Sequence, residues 1–455
     1  MIKRVVLFLF LSLICSGLFS QTGPGGVGSS SSNVVWLRSD EITGLTDGAD
    51  VLTWNDGSGN SNTFSQPSST FSPVYRTGVI NGLPVVRFNK SNGRIRHTGF
   101  TDFPTSAITV IYVNSTTDSG DGSISYASTS SNNDFLIFRS ENLNIYRDPN
   151  RASGVSVNDG LFHIVNAAWQ STGGNLEVWK DGSRDYTSSG FQSGTSITAG
   201  GSMAIAGEQD AIDGNYDVNQ AHFGDFSEVI VFNTFLNQAE HIIVSNYLAA
   251  KYGLTITNDR YTHQSTHAND VAGIGRETVS DTHTSAMSAG ILRIENASAL
   301  DADQEYLLFG HEGSDASTAW TTTEAPNAGS NVQRLAREWR LDETGEVGTV
   351  DFVVETSGFP ALPVGHTTYA LMVDSDGDFS SGASVYEMTL SAGTEYNLTG
   401  VAIADGDYVA IAAVNPTIEH TLSASSGDEA SNASIEVSLN FIPSSSRSVD
   451  ITSAI

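Results

Sequence analysis

The sequence predicts an all-β protein: one β-sandwich over residues 33–254, a second over 255–415, and one helix where they meet. Three observations lead there. Short β-branched and aromatic runs recur along the chain, broken by clusters of Gly, Asn and Asp. Helical spacing of apolar residues is sustained at one place, residues 237–252. Many short strands with Gly-rich turns and no intervening helices are the pattern of sandwiches, not of alternating α/β folds.

Residues 1–20 read as a secretion signal, with Lys3 and Arg4 before an apolar stretch at 5–14 and a cut near Ser20. That stretch is too short to span a bilayer, and no later segment is long enough. Cys15 is the only cysteine, and the Ser12, Leu13 and Ile14 before it do not form a lipoprotein box. After such a cut the chain has no thiol, disulfide or Cys-based metal site. Stability then rests on core size or bound ions. Residues 21–32, rich in Gly and Ser, are expected to be a flexible leader with nothing to bury.

In the first sandwich, Val34-Val35-Trp36-Leu37 and Val51-Leu52-Thr53-Trp54 open the strand series. The turn cluster 55–60 follows the second of them. Asn81-Gly82 lies between the apolar runs 79–80 and 83–88, and Asp181-Gly182 follows the run 176–180; both signal tight hairpins. Further strands are expected at 108–113, 135–138, 143–146, 162–169, 175–180 and 203–207. Phe226, Val229, Val231 and Phe232 mark a buried strand ahead of the helix. Asn237, with Glu240 three residues on, is a capping-box signal. Leu236, Ala239, Ile243 and Tyr247 give one apolar stripe, and Gly253 suits the left-handed closing position. Period-2 runs at 291–295, 305–309, 336–341, 350–354, 369–373, 385–390 and 408–414 make the second sandwich. Asn415-Pro416 marks a boundary, and the segment 416–455 is too short to bury its own core, so the natural protein is expected to be longer.

The runs VVWLRSDEITGLTDGADVLTWNDGSGN, SPVYRTGVINGLPVVRFNKSNG and FGDFSEVIVFNTFLNQAEHIIVSNYLAAKYGL, in that order, resemble the laminin-G/pentraxin-like, concanavalin A-like modules of secreted Bacteroidetes surface proteins. The resemblance covers about 33–254 and implies a jelly-roll of two antiparallel sheets with a glycan-binding or adhesive role. The helix end followed by DVAGIGRE resembles the uncharacterised β-rich module that follows such domains, and TLSASSGDEASNASIEVSLN resembles the start of a Calx-β-type, immunoglobulin-like repeat.

The formal net charge of −30 repels nucleic acid and anionic membrane faces. It serves solubility first, and loop carboxylates holding divalent cations second. Asp374, Asp376 and Asp378, alternating around Gly377, place several hard oxygens in one loop, as Ca²⁺ requires; the plain alternative is a solvated hairpin turn. Glu208, Asp210 and Asp213 are the candidate catalytic carboxylates, on the pattern of the Glu-x-Asp-x-x-Glu strand of some jelly-roll glycosidases. Their place beside the Gly214-Asn215 turn favours a Ca²⁺ or polar rim loop, as in the resembled family. His263 and His267, with Asp259 and Asp270 nearby, have a spacing that could bind Zn²⁺ on a helix, but Thr262, Ser265, Thr266 and Asn269 make this a loop and read as a polar linker. Gly273-Ile274-Gly275 lacks the third Gly and the helix of a nucleotide site. Trp36, Trp54, Trp169 and Trp179 offer stacking surfaces for sugars, yet sit in strand patterns that favour core packing.

The reading that follows is a secreted or cell-surface, non-enzymatic binding or adhesion protein that recognises carbohydrate through the lectin-like domain with Ca²⁺ as its cofactor. The alternatives are an O-glycosyl hydrolase on the same jelly-roll and a spacer in a large adhesin. The sequence names neither the ligand nor the oligomeric state.

Overall fold

Side chains alternate across a strand, so each apolar run buries one face and needs a second layer against it. The computed structural model describes residues 23–316, 318–326, 331–416, 418–422 and 435–444. The expected signal with Cys15, and most of 416–455, lie outside them. The described part of that last segment is a two-stranded hairpin, Ile418–Leu422 with Ile435–Leu439, followed by Phe441, which packs beside Met372, Phe379 and Val385 of the second sandwich.

The first sandwich is two eight-stranded sheets. In one, Ala107–Thr116 lies between Phe162–Gln170 and Gly224–Phe232, both antiparallel to it. In the other, Gly122–Ala127 lies between Phe135–Phe138 and Gly201–Ile205. Trp54, Phe64, Phe100 and Tyr126 from one layer meet Tyr112, Trp169, Val178 and Phe226 from the other to form the core. The hairpins expected at Asn81-Gly82 and Asp181-Gly182 are present, all four residues with positive φ as a tight two-residue turn demands.

The second sandwich pairs an eight-stranded sheet, centred on Val332–Thr344, with a five-stranded one centred on Thr349–Glu355. Trp339, Leu341, Phe309 and Ile411 pack there against Phe352, Val354 and Leu292.

A bulge aims the strand that leads into the helix. Register shifts between Phe226 and Glu228. Without it, Phe226, Glu228, Ile230 and Phe232 would share one face. With it, Phe226, Val229 and Val231 point into the sandwich, while Ile230 and Phe232 point outward to the helix. Glu228 joins that outward set and is fully buried. Its Oε1 accepts from Trp36 Nε1 at 2.6 Å and Tyr247 Oη at 3.0 Å. Its Oε2 accepts from Lys251 Nζ at 2.9 Å and Tyr252 Oη at 2.8 Å. Burial opposes the charge on Lys251, but Glu228 and Asp40 outweigh it and hold the ammonium pKa above its usual value.

The helix, Gln238–Tyr252, starts on the expected capping box: Asn237 Oδ1 accepts from Glu240 N, and Glu240 Oε2 accepts from Asn237 N. It ends at left-handed Gly253. It does not present one apolar stripe to one core. All but Gln238, Glu240 and Lys251 are buried. One side meets Ile111, Val113, Ile164 and Trp179 of the first sandwich, and the other meets Val271, Tyr306 and Leu308 of the second. Its polar residues are spent inside: Asn246 Nδ2 donates to Asn258 O, its Oδ1 accepts from Arg260 N, and His241 Nδ1 contacts Asn166 Nδ2.

The Gly/Ser leader is likewise not free. Pro24–Gly26 form a buried 3₁₀ turn wedged against the helix and the second sandwich, and Val27 has no exposed surface. Gly26 has φ +75°, its carbonyl contacts His283 Nε2 at 3.1 Å, and a Cβ there would sit 2.7 Å from Ala286 Cβ. The absence of side chains, which reads as flexibility in sequence, is here what lets backbone approach backbone.

Two outcomes follow. Lys251→Met leaves the Glu228 carboxylate buried without its counter-charge, and urea unfolding will show a loss of about 3–5 kcal/mol. Gly26→Val combines a disfavoured φ with overpacking, and the same measurement will show a loss of about 1–3 kcal/mol.

Candidate functional site

On the sheet containing Gly122–Ala127, Ile124 and Tyr126 face the core, so Ser123 and Ser125 face outward. Those serines are nonetheless buried, because the segment after Gly201–Ile205 folds back over them as a short hairpin, Gln209–Ala211 with Gly214–Tyr216. Ser125 Oγ donates to Gly207 O at 2.6 Å. Gln209 Nε2 donates to Ser202 O at 2.8 Å, and Gln209 Oε1 accepts from Asp213 N at 3.1 Å. The hairpin therefore lies across the outer face of the sheet and not at its rim.

Glu208 begins this hairpin and is 2% exposed. One carboxylate oxygen, Oε2, is buried without a hydrogen-bond partner. The other lies 2.9 Å from the Asn133 side-chain amide, in the loop after Gly122–Ala127. Burial first, then the charges of Asp210 and Asp217, push the Glu208 carboxyl up to about 7. Asp210 is exposed, and its Oδ1 accepts from Asn132 Nδ2 at 2.8 Å. Asp217 accepts from Asn219 N and from Gln220 Nε2 at 3.0 Å. Carboxylates and side-chain amides from two segments, 132–133 and 208–220, thus converge.

The exit of this segment is pinned from below. Gly122 N donates to Gln220 O at 2.8 Å, and Gly122 bridges to Ala221. Asp121 and His222 form a fully buried pair through His222 Nδ1, and Asp121 also accepts from Ser140 N and Ser140 Oγ. Burial resists the Asp121 charge, yet His222 and Ser140 hold its pKa well below the usual carboxylate range.

The three candidate catalytic carboxylates do not face one another across a cleft. Asp213 is held by Arg96 Nε at 2.6 Å and by Tyr216 Oη, Asp210 points to Asn132, and Glu208 is buried beneath the hairpin. A glycosidase pair needs a fixed gap with the sugar between the two groups.

The Asp374-Asp376-Asp378 loop closes on itself. Asp374 Oδ1 accepts from the backbone N–H groups of Asp376 and Gly377, Asp376 Oδ1 from that of Asp378, and Asp378 Oδ1 from Ser380 N and Oγ. Among the described residues, the group of three acidic or His side chains within one ion's reach is His263, Asp342 and Asp405, not this loop. Nor do His263, His267, Asp259 and Asp270 converge. His267 turns to Glu338 at 3.6 Å, Asp270 to His311 at 2.9 Å, and Asp259 caps Tyr261 N. Burial and then Arg340 hold the His263 pKa below its usual value.

Trp54, Trp169 and Trp179 are core residues, while Trp36 is half-buried beneath the Arg38 guanidinium at 4.3 Å. The residues that sequence reasoning passes over are Asn132 and Asn133. The Ser131-Asn132-Asn133-Asp134 run reads as an ordinary turn, and only the sheet order brings it to Glu208.

Residues 94–261 match the pentaxin family. Residues 240–407 match a domain of unknown function, DUF8202. The two matches overlap on the helix. The chain is similar to the C-reactive protein of Mesocricetus auratus, with 32% identity over 123 residues, 25% of this chain and 51% of that protein. It is 29% identical to neuronal pentraxin-2 of Mus musculus over 90 residues, 20% of this chain and 21% of that protein. The chain thus spans about half of the one and about a fifth of the other. A solved heptameric SAP-like pentraxin from Limulus polyphemus aligns at a TM-score of 0.31 and 22% identity, over 34% of this chain and 76% of that one. Over residues 94–261 the chain carries a pentaxin-family domain on a concanavalin A-like, laminin-G-like sandwich.

Proposed function

We propose that this protein is an exported, non-enzymatic binding protein whose first sandwich holds Ca²⁺ on its outer face and uses that ion to recognise carbohydrate. The observation that carries the reading is Glu208, a carboxylate buried with an unpartnered Oε2 and set against the Asn133 amide. A buried acceptor left without a donor is costly, and a cation relieves that cost. The side chains at hand are carboxylates and amides, whose oxygens can turn to a cation, with no sulfur and no imidazole at the surface of the group. That is the set a hard cation takes and Zn²⁺ does not favour.

Glu208, Asp210, Asn132 and Asn133 would hold the ion, with Asp217 and Gln220 shaping the return of the loop. A bound Ca²⁺ supplies a positive centre that sugar hydroxyls or an acidic substituent coordinate. The chain's own residues set where it sits. Gln209 staples the hairpin to Ser202 and Ser125, and the Asp121–His222 pair fixes its exit. The pentaxin match supports the reading, and the acidic chain draws cations to its surface.

Ca²⁺ at a hundredfold excess over its Kd will raise stability by about 2.7 kcal/mol, read as a melting shift that chelator reverses. Glu208→Gln will abolish that shift while the protein still folds. A shift that survives Glu208→Gln would place the ion elsewhere, and a glycan array silent with and without Ca²⁺ would count against the lectin part.

The pH dependence has a definite sign. The Glu208 pKa of about 7 lies above its unfolded value of about 4.3, so without an ion the fold keeps a proton that the unfolded chain releases. This contribution is fully present below about 4.3 and is lost as pH rises through about 7. Ca²⁺ displaces the same proton, so its affinity rises with pH across neutrality. Calorimetric titrations at pH 6 and pH 8 will show tighter binding and less proton release at pH 8.

A further inference from the structure

We infer that a second binding site, for an uncharged oligosaccharide, lies in the cleft at the seam between the two sandwiches. Two cavities of about 360 and 400 Å³ open there, each within the size range of small-ligand pockets. Arg38, Glu41, Tyr247 and Asp270 line both, so the two form one groove. The first sandwich contributes Arg38 and Glu41, the helix Tyr247, and the second sandwich Asp270. Neither sandwich alone makes the site.

The chemistry of the walls defines the ligand. Three cations and three carboxylates line it: Arg38 meets Glu41 at 3.3 Å, Lys251 meets Asp40 at 2.9 Å as well as the buried Glu228, and Arg337 lies under the charge of Asp270. In a chain of net charge −30 the groove is thus lined by both signs and not by carboxylates alone. A charged ligand would therefore meet its own sign on one wall and gain nothing overall. A neutral ligand with many hydroxyls suits it, because each hydroxyl both donates and accepts.

Capacity for such bonds remains on the carboxylates. The Asp270 side chain is 47% exposed and the Glu41 side chain 58%, so both keep oxygens in the water of the groove. Trp36, which lines one cavity under the Arg38 guanidinium, meets Tyr247 edge-on at 6.2 Å, so ring edges adjoin the polar walls. Asp270 holds a left-handed φ of +45° beside a register shift in its strand, a strained placement fixed by its bond to His311. The buried turn Pro24–Gly26 closes the far wall.

This site does not depend on the Ca²⁺ reading, and the test separates them. Calorimetry on the full chain in EDTA would use cello-, malto-, xylo- and chitotetraose, with tetragalacturonate as the charged counterpart. At least one neutral tetrasaccharide will bind, and more tightly than the galacturonate. Glu41→Ala and Asp270→Asn will each weaken it by about tenfold or more, the scale of one charge-assisted hydrogen bond. Glu208→Gln will leave it unchanged. Melting temperatures identify a variant that loses binding by unfolding, and Glu41, on an exposed turn, supplies the second variant. No neutral saccharide bound in EDTA, preference for the galacturonate, affinity unchanged in both seam variants, or loss in Glu208→Gln would each overturn the proposal.

Discussion

A fully buried carboxylate, Glu228, couples the helix-facing sheet of the first sandwich to the helix. Its oxygens take four donors, two from tyrosine, one from tryptophan and one from Lys251. Such a group is a poor source of net stability, since the cost of dehydrating two charges rivals their attraction. What it supplies is specificity. An all-apolar helix face could slide or rotate on Ile111, Ile164 and Ile230, whereas four directional bonds admit one placement. The bulge at Ser227 is part of the same device, because without it Glu228 would point into the sandwich core. Since the second sandwich packs on the other side of that helix, this placement also sets the geometry of the seam.

The features legible in sequence are those whose partners lie within a few residues. The capping box at Asn237 and Glu240, the closing Gly253 and the Asn-Gly and Asp-Gly hairpins each need only local chemistry, and each forms. The apolar stripe of the helix was legible, but not its second buried face. Nothing nearby in sequence announces Asn166 or Asn258, the partners that His241 and Asn246 find inside. The leader misled for a related reason. Glycine signals both freedom and close approach, and only the position of Ala286 decides between them at Gly26.

The same distinction explains why two acidic loops diverge. Asp374, Asp376 and Asp378 sit two residues apart, so each finds a backbone N–H two or three residues ahead. That bond closes only a short loop, and one oxygen of each carboxylate is engaged by the turn. Glu208 has no such outlet. Burial between the hairpin and Gly122 keeps its Oε2 from donors of its own segment, and its neighbour comes from the loop at Asn133. An alternating-Asp motif is one signal, and a single carboxylate trapped against a distant amide is another. That second signal belongs to the tertiary fold and cannot be read from spacing.

The two faces of the first sandwich thus receive different treatment from the same alternation rule. On one sheet the outward side chains are Ile111, Val113, Ile164 and Ile230, which demand a cover and receive the helix. On the other they include Ser123, Ser125 and Ser202, which demand hydrogen-bond partners instead and receive a polar hairpin. An apolar cover excludes water and becomes structure. A polar cover held by Gln209 and a buried Asp–His pair carries carboxylates that its own bonds do not exhaust. Which cover each face receives follows from the residues its strands turn outward: the apolar side takes the helix, and the serine-lined sheet takes the hairpin that carries Glu208.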